Sequence, residues 1–474
     1  MRDLTFTSAV ELARLYRSRK ASPLEVMEAA LARIDAVNPR VNAVVTLARE
    51  SALWEARRAT AALKRGVPLP ALFGVPVGIK DVTQTKGIRT TYGSKLYETH
   101  VPDEDALVVQ RLRAAGAIVI GKTNTPEFAF GPNTTNAVFG ATRNPWNLAR
   151  TSGGSSGGSA AGLATGMFPI AEGTDLGGSL RGPASFCGVV GFRTTPGLIP
   201  RYPSTLAWDT YSVEGPMART IADAALMLSV MAGPDDRSPI SYDVDPRELA
   251  SAAKAPSVKG WRIAWTPDLG GMSPVDQDVR TVFERGVGVF RLLGARVESA
   301  CPDFADVPEI VRLTRGLLMV ARHADKLPEH RATLQAGLVE NTEQGLALSS
   351  RDVARGELLR TRQWERVREF FETRDLLITP TSATPPFPIE QPNALVIDGR
   401  PVAKGVRSYH TYAVSVLGLP AISIPCGFTP DGLPVGLQII GKRRGEAAVL
   451  RAAAAFEAAH PWAHLRPPVL SATP

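Results

Sequence analysis

The residues with the clearest chemical potential lie in two glycine-serine clusters between positions 151 and 182. The first cluster spans 153–159 and holds several serines, and the second spans 173–179 and ends on another serine. Glycine clusters inside a folded chain mark unusual backbone conformations, or backbone that approaches another group closely. A flexible linker is the alternative reading, but the apolar run 167–171 between the clusters is typical of a buried strand. We therefore expect main-chain N–H groups here to hold a polar group.

Most familiar forms of nucleophile chemistry do not fit these clusters. Residues 154–158 match the letters of the G-x-S-x-G hydrolase elbow, yet so short a pattern arises by chance in a Gly/Ser-rich stretch. A Ser-His-Asp triad needs a histidine, and none of the six histidines stands in a motif. The Gly-Lys-Ser/Thr ending of a phosphate loop is absent, and no His/Glu spacing indicates a metal site. We expect no cofactor and no metal, which leaves a serine nucleophile with a lysine base.

The second cluster is predicted to leave a strand and enter a helix. That geometry places the backbone N–H groups of Leu176, Gly177, Gly178 and Ser179 around one point, with the positive end of a helix behind them. Such a nest stabilises an oxyanion. Upstream, Lys80 ends an apolar run, where a charged lysine is a cost unless burial lowers its pKa.

Residues 153–161 and 173–179 together resemble the signature of the amidase signature family. Gly78-Ile79-Lys80-Asp81 is similar to the lysine motif of that family. The chain matches further blocks of the family at 121–128, 215–219 and 418–438. The resemblance covers nearly the whole chain and is weak from about 235 to 370.

The resemblance implies a Ser-cisSer-Lys triad. It makes Ser179 the nucleophile, Ser155 the bridging serine with a cis peptide, and Lys80 the neutral base. Ser156 is the neighbour that could be confused with Ser155, but the family places the bridging role 24 residues before the nucleophile. The implied reaction passes the Ser179 proton through Ser155 to Lys80 and forms an acyl-enzyme. Asp175 is expected to orient the loop.

The substrate is less determined than the triad. A pocket is expected from Phe128, Phe130, Gly131, Tyr92 and Trp208, although each aromatic residue could equally belong to the core. The resemblance implies a small-molecule amide, anilide or carbamate substrate, with esterase or urethanase activity open. It also includes a branch whose members handle the amide in the tRNA-dependent glutamyl-tRNA amidotransferase complex.

Two further positions refine these expectations. Ser415 stands where the amidotransferase branch has asparagine, so a stand-alone amidase is favoured. Arg181 is expected to be structural, with contact to a substrate carboxylate as the alternative role.

The elements that must position these residues alternate between helices and strands. This pattern predicts an α/β fold with a large mixed, mostly parallel sheet covered by helices on both faces. We expect a single domain over 1–474, with 1–66 as a helical segment packed on it. The helical region 302–352 either caps the active site or forms a plain surface layer. Strands are predicted near 74–81, 117–121, 189–192, 262–265, 376–378, 421–424 and 435–440, and helices near 50–64, 104–115, 219–232, 277–293, 353–374 and 445–459.

Composition narrows the class of protein. The 474 residues carry a net charge of +8 without a basic run, so nucleic acid is not expected as a partner. Three widely spaced cysteines favour a reducing compartment, and neither a signal peptide nor an apolar run of membrane-spanning length is evident. We expect a cytoplasmic enzyme that does not associate with membranes and is a monomer or homodimer.

Overall fold

The computed structural model describes residues 3–65 and 68–471. Its strands are β1 (Val44–Leu47), β2 (Pro76–Lys80), β3 (Ile118–Thr123), β4 (Thr135–Asn136), β5 (Gly140–Ala141), β6 (Arg143–Asn144), β7 (Asn147–Thr151), β8 (Ile170–Asp175), β9 (Val190–Arg193), β10 (Val213–Ala218), β11 (Arg262–Trp265), β12 (Arg296–Ser299), β13 (Leu376–Pro380), β14 (Val396–Ile397), β15 (Arg400–Pro401), β16 (Ala421–Phe428) and β17 (Pro434–Gly441). Its α-helices are α1 (Ala9–Arg17), α2 (Pro23–Val41), α3 (Arg49–Lys64), α4 (Leu107–Ala114), α5 (Gly157–Ala164), α6 (Arg181–Cys187), α7 (Ile221–Met231), α8 (Pro246–Ser251), α9 (Gln277–Leu292), α10 (Val307–His323), α11 (Leu327–His330), α12 (Ala336–Leu346), α13 (Ser350–Phe370), α14 (Tyr409–Ser415) and α15 (Glu446–Ala459).

Eleven strands form one central sheet in the order β1-β3-β2-β8-β10-β9-β16-β17-β13-β11-β12. Successive residues of a strand point to opposite faces, so each strand contributes to two cores. Val119 of β3 packs in the core that also contains α7, α9 and α15, whereas its neighbour Ile120 packs with α2 and α5 on the other face. Farther along the sheet, Leu377 of β13 packs with α10, α12 and α13. Helices therefore cover both faces, and the expected α/β sandwich is confirmed.

Parallel pairing is less common in this sheet than the sequence predicted. Four of its neighbouring pairs are parallel, namely β2–β3, β2–β8, β11–β12 and β11–β13. The other six are antiparallel. A strand buried on both faces is a continuous apolar run whichever way its neighbours point, so the sequence pattern did not reveal the direction.

Most predicted elements lie within a few residues of the observed ones, and three strands were missed. Short β1 lies in the region that we expected to be purely helical, where it pairs antiparallel with β3. Strand β10 contains glycine and proline, and β12 is largely exposed at the sheet edge, so neither shows a strong strand pattern. The predicted end of α3 near Gly66 lies outside the described residues. The apolar run 167–171 contributes only its end to β8, because Met167 N–H still bonds to Gly162 of the preceding helix.

Three adjacent strands supply the residues of interest. Parallel β2, β3 and β8 run side by side, so Lys80 at the end of β2 and Asp175 at the end of β8 reach the same edge of the sheet. The two glycine-serine clusters lie before α5 and between β8 and α6. None of the described helices is both long and apolar enough to cross a membrane.

Candidate active site

Lys80 is completely buried and its amino group contacts three hydroxyl groups. Its Nζ lies 2.7 Å from Ser155 Oγ, 2.9 Å from Ser156 Oγ and 2.9 Å from Thr174 Oγ1. Thr174 is a contact that the sequence did not single out, although it stands within the second cluster. The structure thus brings the predicted lysine and the predicted bridging serine into direct hydrogen-bond distance.

The surroundings of Lys80 favour its neutral form. Burial lowers the pKa of Lys80 from 10.5 to about 7, against the opposing influence of the Glu172 and Asp175 charges. Glu172 is itself buried, and its carboxylate accepts the backbone N–H of Lys80 at 3.1 Å. A lysine with this pKa is neutral in a large fraction of molecules at neutral pH and can accept a proton.

The first glycine-serine cluster aims Ser155 at both Lys80 and the cavity. The Gly154–Ser155 peptide bond is cis. A Cβ at Gly154 would lie 2.5 Å from the carbonyl oxygen of Gly131, so only glycine fits there. Ser156 also reaches Lys80, but Ser155 lines the cavity next to Ser179, whereas Ser156 does not. This difference supports Ser155 rather than its neighbour as the bridging residue.

Ser179 lies in the turn that joins β8 to α6. It is half-buried, lines the cavity, and accepts the backbone N–H of Ser156 with its own carbonyl oxygen at 3.2 Å. No hydrogen bond engages Ser179 Oγ within the described part of the chain. Its hydroxyl is therefore free to turn between Ser155 and a group bound in the cavity.

Three of the four expected oxyanion donors are available. The N–H groups of Leu176, Gly177 and Ser179 have no acceptor among residues 3–65 and 68–471, and all three residues line the cavity. Gly178 is the exception, because its N–H donates to Asp175 Oδ1 at 2.8 Å. The prediction for Gly178 is therefore wrong in this structure: a neighbouring carboxylate occupies the donor.

Asp175 orients this turn, as expected. Its carboxylate also accepts the Leu180 N–H at 3.1 Å and forms buried ion pairs with Arg181 and Arg193. The two guanidinium groups hold the pKa of Asp175 well below its usual range. Arg181 is fully buried beneath the turn, with Nη2 2.7 Å from Ser415 Oγ, so it contacts the protein rather than the cavity.

A cavity of about 1680 Å³ opens in front of Ser155 and Ser179. Four of the five expected pocket residues line it, namely Tyr92, Phe128, Phe130 and Gly131. Trp208 does not: its side chain is 75% exposed at the surface. Leu206, two residues earlier, lines the cavity instead, because the chain turns between them and directs the tryptophan outward.

Helices of the region 302–352 form the opposite wall of the cavity. Met319 of α10 and Asn341 of α12 both line it, together with Leu348. The sequence offered no motif in this region, so these residues could not have been selected from it. Within the described ranges, no group of three or more His, Cys, Asp or Glu side chains is placed to hold a metal ion.

This geometry defines a class of protein first. A buried lysine of low pKa, two hydroxyl side chains beside it and unoccupied N–H groups at a cavity are what a serine hydrolase with a lysine base requires.

The comparisons with known proteins then identify the family. The family model described as Amidase matches residues 25–450. The chain is 39% identical to an acylamidase of Rhodococcus erythropolis over 98% of both proteins. It is 36% identical to the amide-handling (GatA-type) component of the glutamyl-tRNA(Gln) amidotransferase of Thermosynechococcus vestitus, over 96% of this chain and 98% of that protein. The crystal structure of a bacterial aryl acylamidase of the amidase signature family superposes with a TM-score of 0.91 at 31% identity, over 99% of both chains. The protein belongs to the amidase signature family of hydrolases.

Proposed function

We propose that this protein hydrolyses linear carboxylic amides through an acyl-enzyme on Ser179. The observation that carries the proposal is the 2.7 Å contact between Lys80 Nζ and Ser155 Oγ beside the free hydroxyl of Ser179. The similarity to an acylamidase and to an aryl acylamidase supports amides as the substrate class.

The first chemical step forms the acyl-enzyme. Neutral Lys80 takes a proton from Ser155, which takes one from Ser179 as its Oγ attacks the carbonyl carbon. The resulting oxyanion accepts hydrogen bonds from free N–H groups of the turn, and each such donor contributes about 3–4 kcal/mol to stabilisation of the transition state. The C–N bond then breaks, and the proton held by Lys80 returns through Ser155 to the leaving nitrogen.

The second step repeats this relay with water. Water attacks the ester carbonyl, gives its proton to Ser155 and Lys80, and the acid leaves as Ser179 Oγ regains a proton. The large cavity with aromatic residues on one wall suits aryl or alkyl groups on the amide. Anilides fall within this proposal, and the same relay would cleave the carbamate bond of a urethane.

A panel of amides, anilides, esters and carbamates tests the proposal, together with a serine-reactive fluorophosphonate mapped by peptide mass. Ser179→Ala and Lys80→Ala should each abolish turnover while the protein stays folded. Ser155→Ala should lose far more activity than Ser156→Ala, a matched control that removes the neighbouring hydroxyl on the same lysine. Labelling at a serine other than Ser179, or substantial activity of either alanine variant, would refute the assignment.

A second candidate function is that of the amide-handling component of a tRNA-dependent amidotransferase. The similarity to such components over 96% of this chain favours it. Ser415, whose hydroxyl contacts buried Arg181, stands where we expected asparagine for that branch. Amide hydrolysis by the purified chain alone supports the first candidate, and activity only in the presence of the other amidotransferase proteins supports the second.

A further inference from the structure

The basic side chains around the cavity differ in whether they have an acidic partner. Seven of them line it in the described part of the chain, namely Arg201, Arg312, Arg315, Arg322, Lys326, Lys404 and Arg407. Five have a carboxylate within 4.0 Å, supplied by Asp209, Glu309, Asp325 or Glu340. The two exceptions are Arg315 and Arg407.

Arg407 is the more unusual of the two because it is buried. Its side chain belongs to a residue that is only 7% exposed, and its Nε has no acceptor among the described residues. Nη1 and Nη2 donate only to neutral hydroxyls, those of Ser382 at 3.2 Å and Ser408 at 3.1 Å. Burial lowers the pKa of Arg407 to about 10, so the guanidinium remains charged at neutral pH.

A buried cation without a counter-charge is costly, typically by several kcal/mol. The rings of Phe186 and Phe387, with centroids 5.6 Å and 5.7 Å from the guanidinium carbon, offset part of that cost. Neither ring uses the remaining N–H donors. The site is thus built to hold a positive charge and leaves hydrogen-bond donors unused.

Arg407 adjoins the turn that carries the nucleophile. It lies in the short helical turn Val406–Ser408 immediately before α14. Thr411 of that helix contacts the carbonyl oxygen of Gly177 through its hydroxyl at 2.7 Å. Phe186, which packs on the guanidinium, belongs to α6, the helix that begins two residues after Ser179.

Arg315 approaches the same region from α10. Its Nη1 donates to Tyr412 Oη at 2.6 Å and its Nε to Asn341 Oδ1 at 3.3 Å, both neutral groups. Its guanidinium carbon lies 4.9 Å from the centroid of the Phe130 ring. Tyr412 is also the ionisable neighbour that acts on the Arg407 charge. Both uncompensated cations therefore neighbour one tyrosine of α14.

We propose that Arg407, with Arg315 as a second cation, forms a subsite for a carboxylate carried by the substrate. The planar guanidinium group pairs with a carboxylate through two parallel hydrogen bonds, which matches the unused donors of Arg407. This inference rests on the proposed amide hydrolysis and makes the preferred substrates amides with an anionic group. It also modifies the expectation of a purely apolar pocket, since the aromatic wall faces a cationic one.

Three anilides of similar size test the subsite. Succinanilic acid carries the carboxylate on the acyl side, 4-(butanoylamino)benzoic acid carries it on the amine side, and butyranilide is neutral. We expect kcat/KM for one of the two acids to exceed that for butyranilide by about ten- to hundred-fold, mainly through a lower KM, because a charged hydrogen bond has that strength. Which acid is preferred assigns the subsite to the acyl or the amine side.

Variants of the two arginine environments complete the test. Arg407→Gln should lower kcat/KM for the preferred acid at least about ten-fold more than kcat/KM for butyranilide, and Arg407→Lys should keep part of the preference if the variant is folded. Arg312→Gln is the matched control, since Arg312 lines the same cavity but pairs with Glu309. It should leave the preference for the acid unchanged.

Failure of the subsite and failure of the proposed function give different results. If the wild type cleaves butyranilide as well as both acids, the subsite is refuted and amide hydrolysis stands. Binding of succinate and benzoate to Ser179→Ala by calorimetry provides a measurement without turnover. If no anilide is cleaved but these carboxylates bind and Arg407→Gln abolishes binding, the subsite stands and the proposed function fails; absence of both refutes both.

Discussion

Replacing Lys80 by methionine should stabilise the protein at low pH while removing its activity. Burial lowers the pKa of Lys80 from 10.5 to about 7, and a difference of this size corresponds to about 5 kcal/mol against the charged form. The substitution also removes the hydrogen bonds to three hydroxyl groups, at about 1 kcal/mol each. We therefore expect a net stabilisation of about 2 kcal/mol at pH 6. Activity should fall by about 10²–10⁴-fold, since the general base is lost.

The stabilisation should depend on pH in a defined direction. Because the folded-state pKa lies below the unfolded one, the unfolded chain binds more protons between pH 7 and 10.5, and the contribution of Lys80 to stability rises with pH in that window. The methionine variant lacks this gain. Its advantage should therefore shrink above pH 7 and reverse at roughly pH 8 to 9.

Urea unfolding of both proteins at pH 6, 8 and 9.5 measures the effect as a difference in unfolding free energy. Lys254→Met is the matched control: Lys254 is exposed, and its replacement should change stability by less than about 0.5 kcal/mol at every pH. A difference between wild type and Lys80→Met that stays constant from pH 6 to 9.5, or a variant that is less stable at pH 6, would refute a buried lysine with a lowered pKa.

Three further results are expected. The kcat/KM for a neutral amide should rise with pH with a midpoint near the Lys80 pKa of about 7, and a profile that is flat between pH 5 and 9 would argue against lysine as the base. Asp175→Asn should lower the unfolding free energy by about 3–5 kcal/mol, because it leaves two buried guanidinium groups without their shared carboxylate; a urea midpoint equal to that of wild type would contradict this role. Gly178→Ala should reduce kcat/KM at least about ten-fold, since a Cβ at this φ of +115° overlaps Thr411 behind the oxyanion turn. Gly140→Ala, also at positive φ but with nothing within 4 Å of the added carbon, controls for backbone strain, and equal losses in the two variants would contradict a specific effect on the turn.

Residues inside continuous motifs were predictable from sequence. The glycine-serine clusters and the apolar run before Lys80 are local signals, and the types of residue within them restrict the chemistry that they can perform. The prediction that Lys80 lies beside Ser155 followed from those motifs, and the structure places the two side chains in contact. The alternation of helices and strands was likewise sufficient for the α/β class, because the period of apolar residues reflects burial on one or both faces.

Strand direction and side-chain orientation were not predictable in this way. Trp208 and Leu206 are two residues apart and both apolar, yet only the leucine lines the cavity. The N–H of Gly178 was predicted to be a free donor, and it is occupied because the carboxylate of Asp175 folds back on the turn. Such competition for hydrogen bonds depends on distances of a few tenths of an ångström, which no spacing in the sequence reports.

The amino-acid sequence by itself determined the family signature, the residues of the candidate triad and the class of fold, because each of these depends on short motifs or local periodicity. Only the tertiary structure decided which hydroxyls surround Lys80, which amides remain free and which cavity arginines have no acidic partner among the described residues. Thr174 and Arg407 illustrate the reason. Their significance comes from groups distant in the chain, and burial removes the water that would otherwise satisfy them.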